Sequence, residues 1–164
     1  NTSLWTGNGS SQSISGLGFS PNLVWGKERS NTSGNEWLDT LRGVYNYITS
    51  NSTGAQGTSG QGLQSFDSDG FSVGNDGAWN QSSETYVGWS WKANPLPTIN
   101  TTGTIQSTVS ANQAAGFSIV KYTGDGTSGS TVGHGLGATP EIVIYKRLDA
   151  VANWIIKSTL WGVD

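Results

Sequence analysis

A glycine-rich segment near the middle of the second half has the spacing of a dinucleotide-binding loop. Gly124, Gly126 and Gly129 follow the apolar stretch 117–120. Such glycines bind a pyrophosphate where they open a helix. The next eight residues, 130–137, include three more glycines, and each disfavours a helix interior by about 1 kcal/mol relative to alanine. The sequence therefore predicts a turn here rather than a nucleotide site.

Other residues that could support catalysis or metal binding lack partners. His134 is the single histidine and there is no cysteine, so neither a multi-histidine nor a thiolate metal site can be assembled. His134 lies in a glycine-rich turn, and we expect no catalytic role for it. Asp67, Asp69, Asn75 and Asp76 bring oxygens together, but without the spacing or terminal glutamate of an EF-hand. Asx residues at hairpin corners explain them better. We expect no enzymatic activity, no cofactor and no bound metal.

The eight tryptophans raise the question of sugar binding, because flat rings can stack on sugar faces. Trp79 lies in the polar stretch 75–83 and is predicted to be the best exposed of them. Trp161 lies near the end of the sequence. Both are candidates for contact with a glycan or a partner. The remaining strand tryptophans are predicted to be core residues; these are Trp25, Trp37, Trp89, Trp91 and Trp154.

Asparagines in Asn-x-Ser/Thr sequons are candidate glycosylation sites if the chain is made in a glycosylating host. Besides Asn1, these are Asn8, Asn31, Asn51, Asn80 and Asn100. Their number exceeds chance only slightly, because serine and threonine are abundant throughout the sequence.

Composition limits the classes of partner. Only 12% of the residues are charged, against roughly 25% in an average soluble protein. A net charge of −3 without a basic cluster argues against nucleic acid as a partner. No apolar run approaches the ~20 residues of a membrane span, so we expect no membrane insertion. Solubility that rests on hydroxyls and amides is common in extracellular and virion proteins, which is the location we expect.

Short runs rich in β-branched and aromatic residues alternate with turn signals about every ten residues, which predicts an all-β sandwich or jelly roll. Candidate strands include 22–29, 36–41, 85–92, 117–123, 131–133 and 153–157. The stretch 66–71, Phe-Asp-Ser-Asp-Gly-Phe, predicts a hairpin corner. Residues 93–103 carry two of the four prolines and are predicted to be a linker.

The sequence also matches itself. Trp5–Gly9 corresponds to Tyr122–Gly126 at an offset of 117, and residues 16–27 correspond to 135–146 at an offset of 119. This predicts tandem β-sandwich repeats with an incomplete second copy. Residues 1–93 would form the complete repeat, 94–115 a linker with a crossing strand, and 116–164 the partial repeat. The shared Thr-Gly-Asn/Asp-Gly predicts a type I′ turn.

Several stretches of the sequence resemble a known repeat domain. Residues 5–27, 41–53, 65–74, 85–93 and 103–124 are similar to a domain of tail-fibre and other structural proteins of aquatic phages and environmental sequences. The resemblance covers essentially the whole chain, in order. It implies an all-β, lectin-like sandwich module in an extracellular or virion setting, and it brings no catalytic residues.

Together these features predict a non-enzymatic structural or adhesion module of an extracellular appendage, of the phage tail-fibre type. Its partners would be copies of itself and cell-surface glycans. Two alternatives remain open at this point. One is a self-polymerising extracellular filament joined by strand exchange through the partial repeat. The other is a carbohydrate-binding module that uses Trp79.

Overall fold

A computed structural model describes residues 1–161 of the chain. Over these residues the regular secondary structure is almost entirely β-strand, which confirms the predicted all-β fold class. One short helix and a closing 3-10 turn at Thr159–Trp161 interrupt the strands. The elements are β1 Thr2–Thr6, β2 Gln12–Ser15, β3 Leu23–Glu28, β4 Glu36–Asp39, β5 Asn46–Thr49, β6 Gly57–Thr58, β7 Leu63–Asp67, β8 Gly70–Val73, α1 Gly77–Asn80, β9 Thr85–Trp91, β10 Thr98–Asn100, β11 Ser107–Asn112, β12 Phe117–Tyr122, β13 Ile142–Tyr145 and β14 Ile155–Ser158.

The first half is a sandwich of two antiparallel sheets. One sheet has six strands in the order β1-β9-β3-β4-β5-β6, and the other has three in the order β2-β8-β7. Their facing side chains form one apolar core, the main source of stability in such a domain. The core residues come from both sheets, from α1 and from the loop after β2; they are Trp5, Ile14, Leu17, Val24, Leu38, Leu63, Phe71, Val73, Trp79 and Tyr86.

The strict alternation of β9 places its two faces in different surroundings. Tyr86, Gly88 and Ser90 point into the core and are buried. Trp89 and Trp91 point to the outer face of the six-stranded sheet and are half-exposed. The prediction that the strand tryptophans are core residues is therefore wrong. Alternation separates two faces, but both faces of β9 carry aromatic residues, so the pattern does not tell which one is inside.

The second half is more open. β10, β11 and β12 form a three-stranded sheet, and β13 and β14 form a separate antiparallel pair. No residue between 111 and 160 is buried to the degree of the first-half core. The expected strand at 131–133 is reduced to one parallel bridge, between Ile105 and Val132. The expected linker 93–103 contains β10.

Several features of the second half reproduce those of the first. Leu23 pairs with Asp39 and Ile142 with Ser158, and both members of the second pair lie 119 residues after those of the first. The glycines with positive φ recur at the offsets found in the sequence: Gly9 with Gly126, Gly16 with Gly135, and Gly18 with Gly137. Lys27 donates to the Ser33 carbonyl, and Lys146 donates to the Ala152 carbonyl. The division of the chain at residues 93 and 116 stays a prediction.

The glycine-rich segment after β12 is a loop, as predicted, but its geometry differs from a type I′ turn. A type I′ turn needs positive φ at both central residues. Here only the second central residue of each copy has positive φ: Gly9 at 73° and Gly126 at 74°. In each copy, the side chain of the residue before this glycine stabilises the loop instead. Asn8 accepts a hydrogen bond from the Ser10 amide at 2.8 Å, and Asp125 accepts one from the Thr127 amide at 2.9 Å. These are Asx turns.

Candidate interaction surface

The pair β13–β14, with its connecting loop, presents apolar side chains to solvent; we call residues 142–158 the open hairpin. Ile142, Ile144, Ile155 and Ile156 are between 43% and 54% exposed, and Tyr145 is 41% exposed. Ile142 and Ile144 lie on one face, and Tyr145 lies on the other. A soluble protein seldom exposes a contiguous apolar patch of this kind unless it binds something. A two-stranded hairpin alone is also only marginally stable in water.

The first half shows how the corresponding residues are covered when the sandwich is complete. Leu23, Val24 and Leu38 are all buried. At the offset of 119 residues they correspond to Ile142, Val143 and Lys157. There β3 lies between β4 and β9 in the sheet, and the three-stranded sheet covers the core face. Among residues 1–161, the open hairpin has the equivalent of the β3–β4 part of this arrangement.

The loop of the open hairpin holds it against the first half. The backbone amide of Gln56 donates to the Leu148 carbonyl at 2.8 Å, and the backbone amide of Ala152 donates to the Thr53 carbonyl at 3.0 Å. Trp154 donates from its indole nitrogen to the carbonyls of Thr49 and Ser52. The attachment is thus at the loop, and the strands β13 and β14 extend away from it.

An aromatic row crosses the outer face of the six-stranded sheet and ends on this loop. Trp89, Trp25 and Trp37 are directly opposite one another on β9, β3 and β4. Their ring centroids are 5.0 and 5.3 Å apart, and Trp154 continues the row 5.3 Å from Trp37. The rings are tilted by 44° to 58°, which is favourable packing between aromatic rings. The row therefore joins the two halves rather than presenting a flat platform.

Trp79, the residue predicted to be exposed, is in the core. Only 1% of it is accessible. Asp76 caps α1 by accepting a hydrogen bond from the Ala78 amide, and the helical turn directs the indole inward over Gly26. A Cβ at Gly26 would lie 2.5 Å from the ring, so this glycine makes room for the tryptophan. The prediction of glycan contact through an exposed Trp79 is wrong, because tertiary packing buries its polar-looking loop.

The other predicted site residues are Trp161 and the asparagines of the sequons. The side chain of Trp161 lies outside the described residues, so its predicted contact stays a prediction. Asn8, Asn31 and Asn51 are exposed and Asn100 is half-buried, as candidate acceptors for glycosylation.

Asn80 is fully buried and cannot accept a glycan in the folded protein. Its amide donates to the carbonyls of Gly74, at 2.8 Å, and Ser10, and to the Asn8 side chain at 3.0 Å. These bonds join the loop after β1 to α1 and to the loop after β8. The sequon Asn80-Gln-Ser is a structural element here rather than an exposed acceptor.

The oxygens of the aspartate-rich turns are engaged in local hydrogen bonds. Asp67 accepts from Ser65 and Ser72, at 2.6 and 2.7 Å. Asp69 accepts from the amides of Gly16 and Gly18. Across residues 1–161, no three His, Cys, Asp or Glu side chains form a group that could hold a metal ion. His134 accepts from the Leu136 amide through Nδ1 and lines a shallow groove with Asn100 and Gln113.

One half-buried carboxyl group has an altered acidity. Burial raises the pKa of Glu36 above its ordinary value of 4.5; the hydrogen bond from Trp79 opposes this, and the negative charge of Asp76 adds to it. Trp79 donates its indole N–H to Glu36 at 2.6 Å. The arrangement is part of the core packing around Trp79.

This raised pKa predicts a pH dependence of stability. The folded state binds the proton of Glu36 more tightly than the unfolded state, so the stabilisation is fully present below about pH 4.5 and is lost as pH rises through the folded pKa. We expect Glu36→Gln, which keeps an oxygen acceptor for Trp79, to stabilise the protein at pH 7 and to lose that advantage at pH 4. Urea unfolding at the two pH values measures this. An equal effect at both values would contradict the assignment.

A domain of unknown function (DUF7483) matches residues 1–162. The chain belongs to the DUF7483 family. No curated protein and no solved structure matches this DUF7483 chain. None of the helices among its residues 1–161 is long and apolar enough to cross a membrane.

For this DUF7483 domain, one alternative drawn from the sequence placed a joint between subunits in the partial repeat, 116–164, without naming any residue of the open hairpin. A signal was present, because Ile-Val-Ile-Tyr at 142–145 and Trp-Ile-Ile at 154–156 are continuous apolar runs. Such runs are typical of strands buried on both faces. Only the structure reveals that both faces are open.

Proposed function

We propose that this DUF7483 chain is a non-enzymatic structural and adhesion module of an extracellular appendage, of the phage tail-fibre type. The observation that carries the proposal is the recurrence of the β3–β4 pairing as β13–β14 at an offset of 119 residues. A chain built of similar modules assembles through contacts between neighbouring modules, and such contacts cover apolar surface that each module exposes alone.

The recurrence of β3–β4 as β13–β14 supports tandem repeats as the basis of this assembly. Register, glycine conformations and the lysine–carbonyl bond all recur at the sequence offsets. Repetition of one unit builds elongated structures from contacts between neighbours. The resemblance of the sequence to tail-fibre repeat domains supports the virion setting, and so does the hydroxyl- and amide-rich composition.

The function is tested by locating the chain on native particles. Antibodies raised against the recombinant protein would be used for immunogold electron microscopy, with antibody pre-absorbed on the same protein as the control. We expect gold on tails, fibres or free filaments outside the cell. Gold confined to the cell interior would overturn the proposal. So would a hydrolase or transferase activity that disappears when one Asp or Glu is replaced.

A further inference from the structure

The loop that connects β13 to β14 has one covered side and one open side. Along residues 146–154, which we call the docking loop, every second side chain is half-buried and the side chains between them are exposed. The half-buried side chains are Lys146, Leu148, Ala150, Ala152 and Trp154, and the exposed ones are Arg147, Asp149, Val151 and Asn153. The covered side is therefore apolar except for its lysine.

Hydrogen bonds fix the docking loop on the connection between β5 and β6, residues 49–56, which we call the receiving loop. Two backbone bonds and the two indole bonds described above join the loops. Lys146 adds a fifth bond, to the Thr53 carbonyl at 3.3 Å. The same ammonium donates to the carbonyls of Arg147 and Ala152, at 3.0 and 3.1 Å. One lysine thus closes the docking loop and ties it to the receiving loop.

The corresponding loop of the first half has the same lysine but not the apolar residues. Lys27 closes that loop by donating to the carbonyls of Asn31 and Ser33, at 3.1 and 3.2 Å. This difference lies in the residue types and does not depend on what covers either loop. At the offset of 119 residues, Leu148, Ala150, Ala152 and Trp154 correspond to Arg29, Asn31, Ser33 and Asn35.

We propose that the receiving loop, together with Trp37, is the surface on which one DUF7483 repeat holds the docking loop of the repeat that follows it. Successive repeats are then joined rigidly and in one direction, because only the second loop has the apolar residues that dock. The description of the two halves as repeats rests on the proposed function, whereas the contacts between the loops do not.

Trp154 is the anchor of this joint. Its ring lies 5.3 Å from that of Trp37, and its indole N–H donates to the carbonyls of Thr49 and Ser52, at 3.2 and 3.0 Å. A large aromatic side chain whose polar group is also satisfied is the kind of residue that dominates the energy of an interface. Loss of this side chain would remove the ring contact and both indole bonds, and would release the docking loop.

The test is limited digestion of the full chain with trypsin under native conditions. Trypsin can cleave between Arg147 and Leu148 when the docking loop opens, so the cleavage rate, followed by mass spectrometry, measures that opening. We expect Trp154→Ala to raise this rate by about tenfold or more. The matched control is Val151→Ala, in the same loop, where the side chain is 74% exposed; it should leave the rate unchanged. Cleavage after Lys121, in β12, reports general unfolding.

A second variant separates the ring from its hydrogen bonds. Trp154→Phe keeps an aromatic ring beside Trp37 and loses the indole N–H, so we expect a smaller increase of the rate than for Trp154→Ala. A synthetic peptide of residues 142–158 gives the rate for a loop that is not docked.

Three results would overturn the proposed joint. One is cleavage of the parent chain as fast as that of the peptide, and another is a rate that Trp154→Ala leaves unchanged. The third is an equal increase at Arg147 and Lys121, which would mean general unfolding rather than release of the loop. Immunogold labelling decides the location independently. Labelled appendages with an undocked loop would keep the proposed function and reject this joint, and a docked loop without labelled appendages would do the reverse.

Discussion

Replacing Trp79 by alanine is expected to lower the free energy of unfolding by about 3–5 kcal/mol, the usual cost of truncating a large buried aromatic residue. Trp79 is in contact with Trp5 and Phe71, at ring-centroid distances of 6.5 and 6.3 Å. Its indole N–H is bonded to Glu36. The change would leave a cavity above Gly26 and a half-buried carboxylate without its donor. Urea unfolding followed by tryptophan fluorescence measures the loss.

Leu96→Ala is the control for this measurement. Leu96 is 75% exposed, so its truncation should change the free energy of unfolding by no more than about 0.5 kcal/mol. If Trp79→Ala were as mild as Leu96→Ala, Trp79 would not be a core residue, and a role at the surface would have to be reconsidered.

Arg42→Ala is expected to have the second large effect, a loss of about 3–5 kcal/mol, because it leaves a buried carboxylate unpaired. The Arg42 Nε lies 2.6 Å from Asp39, and both side chains are 6% exposed. The same guanidinium donates to the carbonyls of Trp37 and Asn46, at 2.8 and 3.0 Å. It therefore ties the turn after β4 to the start of β5. Thermal or urea unfolding measures the effect.

The chain contains a matched control for this ion pair. Arg147 and Asp149 are also 2.6 Å apart, but their side chains are 63% and 77% exposed. Solvent screens such a pair, so Arg147→Ala should leave the unfolding transition where it is. Similar losses for Arg42→Ala and Arg147→Ala would show that burial is not what makes the Arg42 pair important.

The sequence by itself determined the class of fold. Runs of β-branched and aromatic residues separated by turn residues gave an all-β protein, because these local preferences act within a few residues. The corner at Asp67–Gly70 was recognised in the same way, and β7 and β8 pair around it. Self-similarity also gave the offsets at which glycine conformations and strand register recur, since equal sequences favour equal local structure.

Only the tertiary structure decided which side of each element is inside. Trp89 belongs to an apolar strand and is half-exposed, whereas Trp79 belongs to a polar loop and is buried. A period of two separates the faces of a strand without saying which one the second sheet covers. The burial of α1 depends on Gly26, which is more than 50 residues away in the sequence. The half-exposed row of Trp25, Trp37 and Trp89 likewise follows from which strands are brought side by side, because cross-strand neighbours are a property of the assembled sheet and not of one strand's own residues.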